Sequence, residues 1–505
     1  MLLAVPRLQA QAPQISWARP LSGTAGGLFI SDAAPDLQGN TIFTGSLTAP
    51  TLTFGNQTIT NLSWNSNEFA LDLLGPADAF VAKYTDSGSL LWVQHIGGSN
   101  GAYVSACAAD NFGNIIIGGG LNSSNVWFGT NLITNTFPSN ALFVAKLDAQ
   151  GNLGWLRQLE GGPGPMRVAV DADANIHVAG EFMTNLVIEG SAMTNSYLVS
   201  DFVAEYSSAG ELLWVNTVGF NASKDLDAVA VDAQGNTYLA DCSSSAAYFG
   251  TTTVTNSGLL VAKYDPAGAL AWVQRLSDAS IMRRVAVGSQ GELYLLVDGV
   301  MAKYDRLLNL IWTNSLSLNS HDSASTLILD PVGNPWVIGY GSSKVVAIGS
   351  LTLISSDPNP YEDPVLIAKY DPAGDLLWAR LLYSSNANIF AVGVVDSTDS
   401  LTLYGEAYGT NVLDLDGIFV RTPTNGSGFF FTARIPGPSV GVQLLGAQIV
   451  ISWPTNAVGL SLESAPGLSA SNWSPFTNAP VIVGDQFSVT NNVSVGNQFY
   501  RLRNF

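Results

Sequence analysis

The chain is poor in the residue types that most often carry chemistry. Of its 505 residues, 12% are charged, two are cysteine and three are histidine. Cys107 and Cys242 lie at different phases of the repeat described below, so we expect free, buried thiols and no disulfide. His95, His177 and His321 are equally scattered, which argues against a zinc site built on histidines. We therefore expect neither a metal nor a cofactor.

Basic residues and long apolar runs are also scarce. There are 20 Lys and Arg against 39 Asp and Glu, a formal net charge of −19. A phosphate backbone would be repelled on average, which excludes nucleic acid as the expected partner. No stretch of about 18 apolar residues predicts a transmembrane segment. Residues 1–12 end in the small-x-small pattern of a cleavage site, so we expect a signal-peptide remnant and a secreted or cell-surface protein.

The most abundant feature of the chain is a repeated sequence motif, which we call the phrase. It reads roughly aromatic/aliphatic-Val-Ala-Lys-Tyr-Asp-x-x-Gly-x-Leu-Leu-Trp. Six copies lie at residues 80–92, 143–155, 202–214, 260–272, 300–312 and 366–378, and a seventh is split between residues 429–434 and 15–19. A period of this size indicates stacked units or a ring. The split copy favours a ring that is closed by the two ends of the chain.

A second pattern, Asp-x-x-Gly-Asn between alternating apolar runs, recurs between the copies. It is found at residues 36–40, 110–114, 232–236 and 330–334, with degraded versions at 171–175, 288–292 and 396–400. Such a short loop between period-two runs indicates a β-hairpin. Two hairpins per unit give four strands, which predicts an all-β fold with a seven-bladed β-propeller over residues 13–436. The surplus length of most units falls between the second and third strands.

The composition changes after Arg434, where Ile435-Pro-Gly-Pro438 predicts a short stiff linker. The remaining segments are short and rich in β-branched and aromatic residues. They predict a small C-terminal β-sandwich over residues 437–505.

The phrase together with Val-Ala-Val-Asp-Ala-Gln-Gly-Asn at residues 229–236 resembles the bacterial seven-bladed β-propeller repeat family, found mostly in exported proteins. The resemblance covers residues 13–436 and implies a fold, but this family has no common catalytic residue set. The tail, with Ile451-Ser-Trp453 and Phe499-Tyr-Arg-Leu502, resembles small attachment or sorting domains of exported bacterial proteins.

Residues that recur in every unit are interpreted as scaffold. The repeated Trp should pack between neighbouring blades, and the repeated Asp should form turns instead of binding calcium. The recurring Lys residues, at 83, 146, 263, 303 and 369, should pack their stems flat and keep their heads in solvent. Glu205 replaces this Lys in the third unit. A Gly-x-Ser-x-Gly pattern at residues 97–101 lacks the strand–turn–helix context of a nucleophile.

Candidate ligand-binding residues are sought where units differ, in the crossovers that should surround the mouth of the central channel. They are Arg167, Lys224, Asp225, Asp227, Arg283, Arg284, His321 and Asp322. The two adjacent arginines could hold an acidic sugar or another carboxylate. The alternative is that they form ordinary ion pairs with Asp225 or Asp227 between blades.

These observations favour an exported, monomeric, non-enzymatic propeller that binds or displays an extracellular protein or glycan. The alternative is an extracellular polysaccharide-active enzyme, a lyase or glycosidase, working at the channel mouth. Such an enzyme needs a convergent pair of carboxylates or a Tyr/His/Arg group there. A third possibility is a structural spacer with an apolar plug in the channel. No catalytic residue is predicted.

Overall fold

The structure is a computed structural model. It describes residues 13–20, 28–64, 77–137, 141–162, 164–183, 185–194, 196–197, 199–220, 228–278, 282–297, 299–316, 324–340, 345–348, 351–354, 364–382, 388–408, 412–415, 418–421, 428–437, 441–445, 448–454, 460–466, 473–476, 478–483, 486–492 and 499–504. The expected signal-peptide remnant, residues 1–12, lies outside this part of the chain.

All regular elements of the described residues are strands, which confirms the predicted all-β class. The first third of the chain contains β1 (Trp17–Pro20), β2 (Leu28–Pro35), β3 (Thr41–Leu47), β4 (Thr51–Phe54), β5 (Gln57–Thr60), β6 (Asp78–Tyr84), β7 (Leu90–Gly97), β8 (Ala102–Ala109), β9 (Ile115–Leu121), β10 (Asn125–Phe128), β11 (Asn131–Thr134), β12 (Ala141–Leu147), β13 (Leu153–Glu160), β14 (Met166–Val170), β15 (Ile176–Phe182), β16 (Leu186–Ile188) and β17 (Ser191–Met193).

The middle of the chain contains β18 (Val199–Tyr206), β19 (Leu212–Phe220), β20 (Ala228–Val231), β21 (Thr237–Ser243), β22 (Ala247–Phe249), β23 (Thr252–Val254), β24 (Gly258–Tyr264), β25 (Leu270–Ser277), β26 (Met282–Val287), β27 (Leu293–Val297), β28 (Val300–Tyr304), β29 (Leu310–Ser315), β30 (Ala324–Leu329), β31 (Pro335–Tyr340), β32 (Val345–Ile348), β33 (Leu351–Ile354), β34 (Val365–Tyr370) and β35 (Leu376–Leu382).

The last part contains β36 (Asn388–Val395), β37 (Leu401–Tyr408), β38 (Val412–Leu415), β39 (Ile418–Arg421), β40 (Gly428–Ile435), β41 (Gly441–Leu445), β42 (Gln448–Pro454), β43 (Leu460–Ala465), β44 (Ser474–Pro475), β45 (Val481–Val483), β46 (Gln486–Asn492) and β47 (Phe499–Asn504).

Among the described residues, seven antiparallel units share one pattern of four strands, and we number them sheets 1 to 7 in chain order. They are β2-β3-β6-β7, β8-β9-β12-β13, β14-β15-β18-β19, β20-β21-β24-β25, β26-β27-β28-β29, β30-β31-β34-β35 and β36-β37-β40-β1. The fourth strand of sheet 7 comes from the other end of the chain, with Trp17 opposite Arg434. Ser16 supports this pairing, because its N–H donates to the Arg434 carbonyl at 2.8 Å.

The surplus length between second and third strands forms additional hairpins. Six are described: β4–β5, β10–β11, β16–β17, β22–β23, β32–β33 and β38–β39. Three of them extend the sheet before their own: β10 pairs with β7, β16 with β13 and β22 with β19. These hairpins therefore join sheets 1 to 4 at their outer edges.

The first strands of the seven sheets also join neighbouring sheets. We refer to these strands (β2, β8, β14, β20, β26, β30 and β36) as the inner ring. Each contacts the first strand of the next sheet, and β36 contacts β2. The sequence of contacts thus returns to its starting strand.

The repeated Trp packs across the boundary between sheets. In sheet 1 the ring of Trp92 lies over Gly151 in the turn of sheet 2, and its Nε1–H donates to the Ala149 carbonyl at 3.1 Å. Trp155, Trp214 and Trp312 lie over the corresponding turn glycine of the following sheet. Trp17 of sheet 7 lies over Gly88 of sheet 1, so the same contact recurs where the two ends of the chain meet.

Two further sheets follow residue 440, with strand orders β41-β42-β46-β45 and β44-β43-β47. Ile451, Trp453 and Val489 of the first sheet share one buried cluster with Leu462 of the second. Within the described residues, no helix is long and apolar enough to cross a membrane.

Candidate ligand-binding site

Seven residues of the inner ring, one from each sheet, occupy equivalent positions, which we call one level of the ring. The level is defined by strand pairing. In each sheet, the third-strand residue two positions before the repeated Lys, or before the residue that replaces this Lys, pairs with one residue of the second strand. The first-strand residues opposite that position are Asp32, Ala106, Arg167, Ala228, Arg284, Thr326 and Val392. Three of the seven are charged in a chain that has few charges. The level therefore combines one carboxylate with two guanidinium groups.

Asp32 is the centre of this charged group. Its Oδ2 accepts a hydrogen bond of 2.9 Å from the N–H of Cys107 on the neighbouring first strand. Burial among protein atoms raises the pKa of Asp32, whereas Arg284, the Cys107 N–H and Arg167 lower it. Both arginines thus act on Asp32 although they belong to sheets 3 and 5. Asp32, Arg167 and Arg284 are each half-buried, so solvent reaches them.

The inner ring carries β-bulges close to this level. The register shifts at Ser31 in β2, Ser105 in β8, Arg283 in β26 and Ser325 in β30. A bulge leaves the extra residue unpaired in its own sheet and redirects its side chain. The side chain of Ser105 contacts the backbone of Met166 in the next sheet. Its hydroxyl accepts a hydrogen bond from the Met166 N–H at 2.9 Å and lies 3.2 Å from the Met166 carbonyl oxygen.

Of the predicted ligand-binding residues, the structure brings together Arg167 and Arg284. Arg283 occupies the bulge of β26, next to Arg284. Lys224, Asp225, Asp227, His321 and Asp322 lie outside the described residues, so their predicted roles remain predictions. Asp32 was missed. A signal for it exists in the sequence, because an acidic residue interrupts the Leu-Phe-Ile-Ser-Asp-Ala-Ala-Pro strand.

The hairpin Asp residues are turn-forming groups, as predicted from their pattern. Asp110 Oδ1 accepts from the N–H groups of Phe112 and Asn114, each at 2.9 Å. Although burial tends to raise it, hydrogen bonds from Asn114 and Lys146 hold the pKa of Asp110 below its usual value. The same arrangement recurs at Asp36 and Asp232.

The prediction that the repeated Lys heads lie in solvent is wrong. Lys83 Nζ lies 2.9 Å from Asp36 Oδ2, and the two side chains are 2% and 0% exposed. The ammonium group neutralises the buried hairpin carboxylate of the same sheet, which the sequence pattern alone does not reveal. In sheets 1, 2, 4 and 6 the repeated Lys is therefore the ion-pair partner of the hairpin Asp.

The ion pair of sheet 6 has a second carboxylate, which comes from the hairpin of sheet 7. Lys369 Nζ contacts both Asp330 at 3.0 Å and Asp399 at 2.5 Å. Asp399 occupies the turn position that is Gly in five of the other six sheets and Ala174 in sheet 3, and its φ is +61°. Burial raises the pKa of Asp399 to about 6, although the neighbouring Lys369 acts to lower it. Two carboxylates thus share one ammonium group here.

Both cysteines are free thiols, as expected. Cys107 is buried, whereas Cys242 is only half-buried, so the expectation of burial is correct for one of the two. Burial and the neighbouring Asp32 raise the pKa of Cys107 well above its usual value, which makes it an unreactive thiol.

No family model matches the chain, and no curated protein matches it. Solved structures give weak likenesses. A streptogramin B lyase is 8% identical over 83% of this chain and 97% of its own, with a TM-score of 0.42. The C-terminal WD40 domain of Sif2 is 9% identical over 84% and 99%, with a TM-score of 0.41. A protein of unknown function from Bacteroides caccae is 13% identical over 60% and 89%, with a TM-score of 0.35. The sheet assignments above depend on strand pairing within this chain alone.

Proposed function

We propose that sheets 1 to 7 are the blades of a β-propeller whose ring is closed by β1. The support is the circuit of contacts along the inner ring and the pairing of β1 with β40. The two sheets after residue 440 would then form a separate β-sandwich, supported by their shared apolar cluster. In this arrangement the first strands line a central channel, as they do in propellers generally.

We further propose that this is a non-enzymatic binding protein that holds a carboxylate group of an extracellular glycan or protein in the channel. The observation that supports it best is the placement of Arg167 and Arg284 at one level of the inner ring together with a single carboxylate, Asp32. Guanidinium groups bind carboxylates through two parallel hydrogen bonds. Two arginines and one aspartate leave a local positive charge in a chain whose net charge is −19.

The alternative, a polysaccharide-active enzyme, needs two carboxyl groups about 5–5.5 Å apart for a retaining glycosidase. Asp32 is the only carboxylate among the seven residues of the level. Binding is therefore favoured over glycoside hydrolysis at this site. Incubation with acidic polysaccharides and measurement of new reducing ends or unsaturated products would detect the enzyme.

Binding is tested by titrating the full chain with oligogalacturonate and, in a separate arm, with an oligoglutamate peptide. Arg284→Ala and Arg167→Ala should each weaken binding about 10-fold or more, since a hydrogen bond to a charged group contributes roughly 1.5–3 kcal/mol. Asp32→Asn should strengthen it by removing a competing carboxylate. Arg275→Ala, on the fourth strand β25, is the matched control and should bind like the wild type. Equal binding by all four variants would refute the site, and the arm that responds identifies the source of the carboxylate.

We propose an exported location, with the C-terminal sheets as an attachment module. Apolar side chains are exposed on both edge strands of the four-stranded sheet, including Leu444 on β41 and Ile482 on β45. Exposed apolar edges are typical of surfaces that contact another molecule. Expression with the first twelve residues and fractionation of cells and medium would test export.

A further inference from the structure

Sheet 3 lacks the Lys or Arg that each of the other six sheets carries at the equivalent position of its third strand. In sheets 1, 2, 4 and 6 the hairpin Asp is neutralised by the Lys of the third strand, at 2.9–3.2 Å. Sheet 7 keeps the pattern with Asp396 and Arg434. Sheet 3 keeps the hairpin Asp171 but has Glu205 at the Lys position. A third residue, His177, stands directly opposite Glu205 on the second strand.

These three side chains converge in the protein interior. One nitrogen of His177 and one oxygen of each carboxylate all lie within 4.8 Å of one another. His177 Nε2 is 3.5 Å from Asp171 Oδ2, and its Nδ1 is 3.9 Å from Glu205 Oε2. The side chains of His177, Asp171 and Glu205 are 0%, 7% and 4% exposed.

A surrounding layer of hydrogen bonds fixes the orientation of the three groups. His177 Nδ1 lies 2.7 Å from the Thr237 hydroxyl of sheet 4. The Trp214 indole N–H donates to Glu205 Oε2 at 2.7 Å, and the Asn175 amide donates to Asp171 Oδ2 at 3.0 Å. Outer partners of this kind orient metal-ligating His and carboxylate side chains. With Nδ1 beside the Thr237 hydroxyl, the other ring nitrogen, Nε2, faces Asp171.

The cluster holds two carboxylates and no Lys or Arg of its own. Burying uncompensated charge is costly, and buried carboxylates are normally paired or coordinate a metal ion. A bound cation would supply the positive charge that Lys or Arg supplies in the other sheets.

We propose that Asp171, His177 and Glu205 bind a divalent transition-metal ion, with Zn²⁺ the best match, that stabilises the junction of sheets 3 and 4. One imidazole and two carboxylates are zinc ligands in other proteins, and a fourth position is commonly filled by water. Imidazole favours zinc over calcium, which prefers six to eight oxygen ligands. Zinc ligands about 2.0–2.2 Å from the ion lie roughly 3.3–3.6 Å apart, close to the separation of His177 and Asp171.

The test uses the full chain after removal of metals with a chelator. Titration with Zn²⁺ should show one site, and Co²⁺ should give the visible absorption of a protein-bound ion. Zn²⁺ should also raise the unfolding temperature, since a ligand that binds only the folded state stabilises it. The double variant His177→Tyr, Glu205→Lys reproduces the Tyr238 and Lys263 arrangement of sheet 4, so it should fold and bind Zn²⁺ at least 30-fold more weakly. Glu211→Lys makes the same charge change at an exposed turn of sheet 3 and should retain binding.

Two results would overturn the proposal. One is that the folded wild type and the double variant bind Zn²⁺ equally or not at all, which would mean that protons alone compensate the carboxylates. The other is a rise in unfolding temperature with Ca²⁺ that exceeds the rise with Zn²⁺, which would contradict the transition-metal assignment.

Discussion

The contact between Trp17 and Gly88 gives a quantitative test of how sheet 7 meets sheet 1. Gly88 has φ +75°, and a Cβ added to it would lie 2.6 Å from the ring of Trp17. Gly88→Ala therefore changes two things. It places an L side chain in the left-handed region, and it forces the indole away from the turn of sheet 1.

The two costs can be estimated separately. Left-handed backbone costs a residue with a Cβ about 1–2 kcal/mol. Overpacking against a ring that must move costs about 1–3 kcal/mol. We expect Gly88→Ala to lower the free energy of unfolding by about 2–5 kcal/mol, the sum of the two costs. Gly333 provides the matched control, because it has φ +86° in an equivalent turn with no atom within 4 Å of an added Cβ.

The assay is urea unfolding monitored by tryptophan fluorescence and by circular dichroism. Gly333→Ala should show the backbone cost alone. In a Trp17→Ala background, Gly88→Ala should also cost no more than Gly333→Ala, because the ring is gone. Equal effects of Gly88→Ala and Gly333→Ala in the wild-type chain would refute the contact.

The remaining predictions concern Asp399, which is unfavourable where it stands. Asp399→Gly should raise the free energy of unfolding at pH 7 by about 1–3 kcal/mol, because it removes a carboxylate of raised pKa and relieves positive φ while leaving the Lys369–Asp330 pair intact. The gain should also depend on pH. The pKa of Asp399 is raised from 3.8 to about 6, so the folded state binds more protons than the unfolded state between these values. The part of the increase in free energy of unfolding that comes from removing the charge should therefore be fully present above pH 6–7 and absent near pH 4. Parallel urea titrations of the wild type and the variant at these pH values measure it. A gain that is constant from pH 4 to pH 7 would contradict the assigned cause.

Local chemistry made the strands and tight turns predictable from sequence. An Asp followed by Gly and Asn satisfies backbone N–H groups within five residues, as Asp110 does, so no distant residue is needed. The hairpins that extend a preceding sheet were not predictable in this way. The pairing of Trp127 with Gly97 depends on where the neighbouring sheet lies. The burial of the Lys83 head depends equally on its distant partner Asp36.

The candidate site was predictable only in part. Arg284 and Arg167 attracted attention because arginine is rare in this acidic chain. Asp32 joins them through strand register, and register depends on bulges that the pattern does not show. Glu205 was visible as a departure from the repeat, and His177 was visible as a histidine. Their convergence with Asp171 required the pairing of β15 with β18.

The central claim is a closed ring in which β1 is the fourth strand of sheet 7. Ala18 and Ala433 are direct partners across β1 and β40, so cysteines at both positions should be within the usual Cα separation of a disulfide. Mild oxidation of Ala18→Cys, Ala433→Cys should give an intramolecular cross-link, mapped by peptide mass spectrometry, in a monomer of altered gel mobility. Ala391→Cys on β36 is the control partner for Cys at position 18, since it lies three strands away, about 14 Å, and should not cross-link. Failure of the 18–433 pair to form an intramolecular disulfide, or formation of disulfide-linked dimers alone, would contradict the closed ring.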